Sequence, residues 1–553
     1  MSTSTAPQSV TDRWLTRCCL WIPLIALLMF FAVPMLSILW HSLLDDRSGA
    51  LGFSNYLSLM SSPGIWRATL NSLLLGIATT LVTLVLGFVL AYGLECSQMQ
   101  GKRFISMAIS MPVLAPSLVL GLGLIFLLGR NGLISHGTGI RLEIYGFTGL
   151  LIANVLYALP QAVMIIRTAL RQSDARQYEA ATVLGAGEWR QFIDVTLPGA
   201  RYGILSAAFV VFTVTITDFG NAVVIGGNFQ VLATEIYSQV SGQMKFGMGA
   251  VVGILLLLPA AASIWIEKAA TRRQQLIGTS AMIPHQPQPL PRRDIPLFLV
   301  SLSIALGIIT VIATVVFASV IRLWPYRLNF TLKHYDIDLA GGYTPLWTSM
   351  WISLLAAVVG TAMLFLLSFG IRRLPGRQAS FATLLSALPV AVPGLVLGLS
   401  YVFTFNSATL PWGVLYGTAL LIALCNYYHY HTQGFTTMMT GMRSIPAAME
   451  DATSVLGGGV PRILGDVYLP AMRITLVTVA LFLFMRSMVT LSAVIFLVTP
   501  SLPLGAVSVM RLDEAGFTSQ AAAFSTCIMV VVSLTALALH QLTRSARRQT
   551  ATP

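Results

Sequence analysis

Long apolar segments separated by short polar ones dominate this chain of 553 residues. A helix of about 20 apolar residues is needed to cross roughly 30 Å of hydrocarbon. Helices are expected because lipid offers no partner to an open backbone group. The pattern predicts an all-α polytopic membrane protein with twelve spans, near 19–41, 69–93, 105–129, 147–169, 203–225, 247–267, 296–320, 347–371, 380–404, 413–436, 475–498 and 521–541.

The twelve segments form two sets of six that correspond in sequence. MPVLAPSLVLGLGLIF at 111–126 aligns with LPVAVPGLVLGLSYVF at 388–403, an offset of 277 residues. EAATVLGAGEWRQFIDVTLP at 179–198 aligns with DATSVLGGGVPRILGDVYLP at 451–470, an offset of 272 residues with ten of twenty positions identical. An external loop five residues shorter in the second half accounts for the change. Two parallel repeats are therefore predicted, a module at 1–267 and a module at 296–553, joined by a cytoplasmic linker at 268–295.

Charge is scarce and unevenly placed. Only 10% of residues are charged, against roughly 25% in soluble domains. With the N-terminus inside, 22 of the 33 Lys and Arg residues fall on the cytoplasmic side. This is the positive-inside bias, so the net charge of +13 reflects topology with both termini cytoplasmic rather than nucleic-acid binding. The first apolar stretch has no small-residue cleavage site after it and is interpreted as an uncleaved span.

Motifs for nucleotide, metal or covalent chemistry are not found in the sequence. The chain has no GxxxxGK[ST] phosphate loop, and HExxH, GxSxG and CxxC are also missing. His429 and His431 lie two residues apart, so on one helix they point to different faces, and a metal site would need other ligands. We expect no catalytic residues, no resident metal and no cofactor.

The sequence of the repeated polar loop predicts its local structure. Glu179 and Asp451 are placed where a carboxylate favours the positive end of a helix. Gly185 and Gly457 follow as residues able to adopt positive φ and turn the chain. A second short amphipathic helix is predicted next, stopped by Pro198. Each copy is thus expected to form a compact knob of two helices at the membrane surface; an ordinary interfacial helix pair is the simpler alternative.

The pattern EAA, three residues, Gly, nine residues, hydrophobic residue, any residue, Leu-Pro resembles the EAA loop of binding-protein-dependent ABC importer permeases. The first copy fits throughout, whereas the second has Asp451 in place of Glu and Thr453 in place of the second Ala. The resemblance implies two tandem MetI-like six-helix modules. It also assigns ATPase coupling to residues in both copies: Glu179, Ala180, Ala181, Gly185, Leu197, Pro198, Asp451, Ala452, Gly457, Leu469 and Pro470.

The same resemblance implies partners and a location. Each loop would seat in a groove on one of two ABC ATPase subunits, so this chain would translocate a small solute without itself hydrolysing ATP. A periplasmic substrate-binding protein would deliver the solute to the bacterial inner membrane. In its size and its fusion of two modules, this chain resembles permeases for ferric iron, thiamine and 2-aminoethylphosphonate. The stretches at 197–227, 246–260 and 323–336 are similar to the last of these, which makes 2-aminoethylphosphonate the expected solute.

Asp218 and Arg486 are ionisable residues within predicted spans, where charge is costly and commonly functional. Arg486 lies four residues before Thr490, the position aligned with Asp218. The two side chains are interpreted as an ion pair between the matching helices, or Arg486 as a contact for a phosphonate, which suits its forked donors. Asp218 either lines the path or makes a structural hydrogen bond between helices.

Asn221 follows Asp218 closely, and Asn154 and Asn426 align at the offset of 272. These three are also candidates to line the path. Prolines at 112, 116, 389 and 393 predict breaks or kinks at the start of the third and ninth spans. A secondary, ion-driven transporter is the competing class. It would need midplane carboxylates in both halves, yet the position aligned with Asp218 is a threonine.

Overall fold

The computed structural model describes residues 10–46, 48–140, 142–277, 283, 286–337, 341–407 and 411–551, and these are almost wholly helical. The helices of the first half are α1 Val10–Leu27, α2 Val33–Ser42, α3 Ser54–Met60, α4 Pro63–Cys96, α5 Lys102–Ser110, α6 Ser117–Leu128, α7 Leu133–Thr138, α8 Phe147–Arg171, α9 Ala175–Val183, α10 Glu188–Gln191, α11 Leu197–Thr217, α12 Gly220–Ile225, α13 Leu232–Tyr237 and α14 Phe246–Ile277.

The second half begins with α15 Pro291–Ser319 and the antiparallel strands β1 Ile321–Leu323 and β2 Arg327–Phe330. Its remaining helices are α16 Thr344–Arg372, α17 Gly376–Ala387, α18 Gly394–Phe405, α19 Ala419–His429, α20 His431–Arg443, α21 Ala447–Val455, α22 Val460–Arg462, α23 Leu469–Val489, α24 Gly505–Glu514 and α25 Thr518–Ala551. Four wider π-helical segments interrupt the α-helices, at Leu28–Ala32, Phe192–Thr196, Ser238–Gly242 and Ile463–Tyr468.

The helices assemble into two compact units whose membership differs from the order along the chain. One unit takes its residues from 42–339 and 509–527, and its centre is formed by α4, α8, α11 and α14. The other takes its residues from 1–41, 340–508 and 528–553, and is centred on α16, α19, α20 and α23. The first helix of each half therefore belongs to the unit built from the other half: α1 packs on α16, and α15 packs on α4, α5 and α6.

Aligned glycines face these first helices in both units, and Gly370 allows a close approach that a Cβ would prevent. A Cβ added at Gly370 of α16 would lie 2.8 Å from Leu20 Cα on α1. The aligned Gly93 of α4 would place a Cβ 3.5 Å from Ser301 Oγ on α15. Small residues at helix crossings let backbones pack tightly where the hydrophobic effect cannot drive association. The module boundary predicted at 268–295 remains a prediction, since residues 278–282, 284 and 285 lie outside the described residues.

Membrane-spanning segments are largely where the apolar pattern predicts them. Ten helices among the described residues are long and apolar enough to cross a membrane, or eleven if a bent pair counts as one span. That pair, Gly376–Ala391 and Gly394–Phe405, bends by 103° at Pro393 and its neighbours, so these prolines break the helix as expected. The segment predicted at 413–436 is instead divided at Tyr430, where φ is −108° and ψ is 10°, and neither α19 nor α20 is long enough to span.

The offset change between the repeats is explained by one connection. Residues 129–146 link α6 to α8 in the first half, and 406–418 link α18 to α19 in the second. The second connection is five residues shorter, as predicted. The two copies of the repeated loop therefore correspond position by position at the offset of 272.

Candidate functional site

The first copy of the repeated loop is an elbow between two helices. Helix α9 begins after Asp174, whose carboxylate accepts a hydrogen bond from the Arg176 backbone N–H at 3.1 Å. The helix ends at Val183, and Gly185 adopts φ +77°. The chain then re-enters a helix at Glu188 that continues, through α10, the π-helical segment and α11, to Thr217.

The second copy repeats this geometry. Helix α21 ends at Val455, and Gly457 adopts φ +76°. The next helix starts at Val460 and continues to Val489. The positive φ that the sequence predicts at both glycines is thus present, and it is a conformation that residues with a Cβ adopt at a cost.

Two local predictions about these loops are wrong. Glu179 and Asp451 do not start a helix, because α9 begins four residues earlier at Ala175 and α21 at Ala447. Nor does Pro198 stop the second helix. The proline lacks an N–H and would break a regular α-helical turn, but the π-helical segment Phe192–Thr196 widens the preceding turn and the helix continues. The segment Ile463–Tyr468 precedes Pro470 in the same way.

Both elbows present apolar side chains at their tips. Val183 and Leu184 are 87% and 84% exposed, and the aligned Val455 and Leu456 are 85% and 83% exposed. The motif residues around them are also mostly exposed, namely Glu179, Ala180, Gly185, Leu197, Pro198, Asp451, Ala452, Gly457, Leu469 and Pro470, whereas Ala181 is half-buried. Large apolar side chains with this exposure are typical of a surface that another protein or a membrane covers.

Neutral contacts hold the first elbow together. Tyr178 Oη lies 2.9 Å from Thr196 Oγ1, which joins α9 to the π-helical segment, and burial raises the pKa of Tyr178. Phe192 contacts the rings of Phe88 and Tyr92 on α4, at centroid distances of 5.9 and 5.4 Å. At the start of α9, hydrogen bonding from the Arg176 side chain lowers the pKa of Asp174.

Charged contacts hold the second elbow. Glu450 on α21 pairs with Arg372 at 3.1 Å and with Arg373 at 3.0 Å, at the end of α16. The Tyr468 hydroxyl also hydrogen-bonds Glu450. The four side chains join the first helix of the elbow, its second helix and the membrane helix α16 in one network.

Each elbow is also contacted by a residue of the other half that lies within the first helix of that half or shortly before it. Asp12 of α1 accepts a hydrogen bond from the Val460 N–H at 2.7 Å, which caps the long helix that follows the second elbow. Ile283, in the predicted linker, accepts a hydrogen bond from the Ala175 N–H at 2.9 Å, at the start of α9. Each of these two hydrogen bonds lies within one compact unit.

The long helices after the elbows end at aligned residues, Asp218 and Thr490, rather than running through them. Asp218 is thus at a break between α11 and α12. Its carboxylate accepts a hydrogen bond from the Asn221 N–H at 3.0 Å, at the start of α12. Asn221 Nδ2 in turn donates to Asn154 Oδ1 at 3.2 Å, so three of the predicted path residues are joined.

Asn426 and Arg486 lie in the other unit. Asn426 donates to Ser487 Oγ at 2.7 Å, and the Arg486 guanidinium lies 4.8 Å from the ring centre of Tyr430. Since Asp218 and Arg486 belong to different units, their pairing stays a prediction, as does the lining of a path by any of these residues. His429 and His431 lie on separate helices, and His431 Nδ1 is 2.9 Å from Tyr427 Oη.

Several residues at the elbows were missed by sequence reasoning. Asp174, Tyr178 and Glu450 lie just before the motif; Asp174 bonds the nearby Arg176, Tyr178 contacts Thr196 near the end of the motif, and Glu450 pairs with distant arginines. A signal for Asp174 was present, since Ser-Asp before an Ala-rich run is a typical N-cap. No comparable local signal marks Arg372 and Arg373 as partners of Glu450, 77 or 78 residues away.

Comparisons with known proteins agree with this architecture. Residues 84–275 match the family described as binding-protein-dependent transport system inner membrane component. A Haemophilus influenzae protein named as a ferric transport system permease is 27% identical, over 86% of this chain and 77% of its own length. The ferric transport system permease protein of Actinobacillus pleuropneumoniae is 25% identical, over 92% of this chain and 76% of its own.

A third relative matches a shorter stretch of this chain at higher identity. The molybdenum transport system permease protein of Azotobacter vinelandii is 33% identical over 169 residues, which are 29% of this chain and 75% of that protein. Its similarity, the family match over the first elbow and the helical membrane architecture agree. This chain belongs to the family of binding-protein-dependent transport system inner membrane components, as a multi-pass permease subunit of an ABC importer.

Proposed function

We propose that the two elbows, at 175–198 and 447–470, are the surfaces through which two ABC ATPase subunits drive this permease. The observation that carries the proposal is the matched geometry of the two tips. Each has a glycine with φ near +77° beside a Val-Leu pair that is more than four-fifths exposed. Two equal apolar knobs are what a pair of identical partner subunits would cover. The elbows would then face the cytoplasm of a bacterial inner membrane, with both termini on the same side.

Each elbow continues directly into a long membrane helix, so a movement of the elbow would also move that helix. Glu188–Thr217 and Val460–Val489 are each 30-residue helices that start at an elbow. At 1.5 Å per residue such a helix is about 45 Å long, enough to cross the bilayer. If each long helix moves as a rigid body, a displacement of the elbow tip would also move the helix end at Asp218 or Thr490. Closure of the ATPase pair would in this way rock the two units and open the passage to a loaded periplasmic binding protein.

For the solute we propose 2-aminoethylphosphonate, on the similarity of the stretches at 197–227, 246–260 and 323–336 to permeases for that compound. Ferric iron is the second candidate, because relatives matched over 86% and 92% of this chain are named as ferric transport permeases. A small zwitterionic phosphonate and a trivalent cation need opposite binding chemistry, so the binding protein that serves this permease distinguishes them.

Two measurements test these proposals. The permease, expressed with the ATPase encoded beside it, should co-purify with two ATPase copies, and ATP should be required for solute uptake into vesicles. Uptake that persists without any ATPase would instead favour an ion-driven transporter. Calorimetry on the neighbouring binding protein should give tight binding of 2-aminoethylphosphonate. Tight binding of ferric ion and none of the phosphonate would replace the first solute with the second.

A further inference from the structure

The two elbows occupy aligned positions but are attached to their units by different chemistry. At the offset of 272, Glu450 corresponds to Tyr178, and Tyr468 corresponds to Thr196. The contact between the two helices of the elbow is kept in both halves, as Tyr178 to Thr196 in one and Glu450 to Tyr468 in the other. Only in the second elbow is one member of this contact a carboxylate.

The Glu450 carboxylate is bound by arginines at the end of the membrane helix α16. Arg372 and Arg373 at the end of α16 each donate to one oxygen of Glu450. Arg372 also donates to the backbone carbonyls of Met442, at the end of α20, and, at 2.7 Å, of Ile445, in the connection between α20 and α21. The three charged side chains are only 15 to 18% exposed. Charge-assisted hydrogen bonds with this burial fix geometry more firmly than exposed pairs do.

The aligned position in the first half points to a different helix. At the offset of 277, Glu95 of α4 corresponds to Arg372. Its carboxylate pairs with Arg167 at 2.7 Å and Arg171 at 2.8 Å, both on α8, before the chain reaches the first elbow. At this aligned position, an arginine joins α16 to the elbow helix α21 in the second half. In the first half, a glutamate joins α4 to the membrane helix α8.

We infer that Glu450 is a positioning residue that locks the first helix of the second elbow to α16, so that the two ATPase contacts are unequal. The second elbow is preset by charge, while the matched contact in the first is the neutral hydrogen bond between Tyr178 and Thr196. This inference rests on the proposed ATPase role for its consequence in transport, but the locking itself is a property of the permease alone.

Matched exposed positions allow the locking to be measured without any ATPase. Val358 on α16 and Val455 at the second tip are 60% and 85% exposed, and the aligned Leu81 on α4 and Val183 at the first tip are 61% and 87% exposed. Spin labels at 358 and 455, or at 81 and 183, would report equivalent distances in the full chain after replacement of its five cysteines. Double electron–electron resonance gives the distribution of each distance.

We expect a narrow distribution for 358–455 that broadens in Glu450→Gln and in the double variant Arg372→Gln/Arg373→Gln, while Glu450→Asp keeps it narrow. The matched change Tyr178→Phe should leave 81–183 unaltered, because it removes one neutral hydrogen bond and retains the ring. A 358–455 distribution unchanged by the charge-removing variants would overturn the inference, and so would equal broadening of 81–183 by Tyr178→Phe. The double variant decides the matter if Glu450→Gln does not reach the membrane.

The consequence for transport is measured separately in the assembled complex. With the binding protein present, ATP hydrolysis should fall about tenfold in Glu450→Gln, equivalent to about 1.4 kcal/mol, and recover in Glu450→Asp. A broadened 358–455 distance with unchanged stimulated hydrolysis would retain the lock but contradict its role in coupling. Failure of the ATPase to bind the wild-type permease would instead contradict the proposed function and leave the distance measurement valid.

Discussion

Asp218 and Thr490 end the two long helices at aligned positions with almost the same backbone angles, φ −72° and ψ 123° at the first and φ −72° and ψ 127° at the second. The side chains stabilise the two breaks differently. Asp218 accepts from the Asn221 N–H, whereas the Thr490 hydroxyl lies 2.8 Å from Tyr430 Oη. The backbone break is therefore the repeated feature, and the charge of Asp218 is particular to one half.

This comparison predicts that Asp218 acts through its acceptor oxygen rather than through its charge. Asp218→Asn keeps an oxygen for the Asn221 N–H, so transport and thermal stability should remain close to wild type. Asp218→Ala removes the acceptor and should lower stability by about 1 kcal/mol, the usual effect of losing a helix cap. Uptake assays and thermal unfolding in detergent check both variants. Loss of uptake in Asp218→Asn with normal stability would show that the path requires the carboxylate.

The sequence predicts features that are local or periodic and misses those that depend on distant partners. The positive φ at Gly185 and Gly457 could be predicted because a glycine between two short helices has few other roles. The partners of Glu450 could not, since an arginine at the end of an apolar helix is equally suited to the membrane surface. The packing of α1 and α15 against helices of the other half could not be predicted either, because the sequence of an apolar helix carries little information on which neighbour it contacts.

Pro198 illustrates a local rule overridden by a local adjustment. Proline within a helix removes a hydrogen bond, which made a helix end the reasonable prediction. The five-residue π-helical segment that precedes it accommodates the missing donor instead. The same adjustment before Pro470 indicates that the Leu-Pro of the motif keeps the elbow continuous with the membrane helix.

The loop helix α24 carries a carboxylate that should make stability depend on pH. Burial, and secondarily the negative charge of Glu514, raise the pKa of Asp513 from 3.8 to about 6. Between about pH 4 and 6 the folded protein retains a proton that the unfolded chain has released, so this group's contribution to stability falls as pH rises through that window.

Asp513→Asn should therefore unfold at a higher temperature than wild type above pH 6, and the difference should shrink toward pH 4. Thermal unfolding followed at pH 4.5 and pH 7.5 measures this directly. Glu514→Gln should shift the transition in the same direction, because it removes the negative charge beside Asp513 and because burial also raises the pKa of Glu514. A lower unfolding temperature for Asp513→Asn at pH 7.5 would mean that the ionised carboxylate has a stabilising partner.

Gly185 and Gly457 should tolerate asparagine better than alanine. Neither has any atom within 4 Å of an added Cβ, so only the positive φ opposes substitution. That conformation costs an alanine roughly 1–2 kcal/mol, and asparagine less. We expect ATPase co-purification to weaken about tenfold with Gly185→Ala or Gly457→Ala and to be largely kept with asparagine. Gly187→Ala is the control, since it also has space but an ordinary φ of −68°.

The exposed tips should bind through apolar surface alone. Burying a leucine side chain is worth about 1.5–3 kcal/mol, or roughly tenfold to a hundredfold in affinity. Leu184→Glu and Leu456→Glu should therefore lower ATPase affinity by at least about tenfold, while their exposure of 84% and 83% leaves the folding of the permease unaffected. Titration of purified ATPase onto the permease in nanodiscs measures the affinity.

Leu184→Met and Leu456→Met are the matched controls, because they keep volume and apolar character at the same positions. Wild-type affinity is expected for both. Unchanged affinity in both glutamate variants would mean that the tips are not the surface that the ATPase covers.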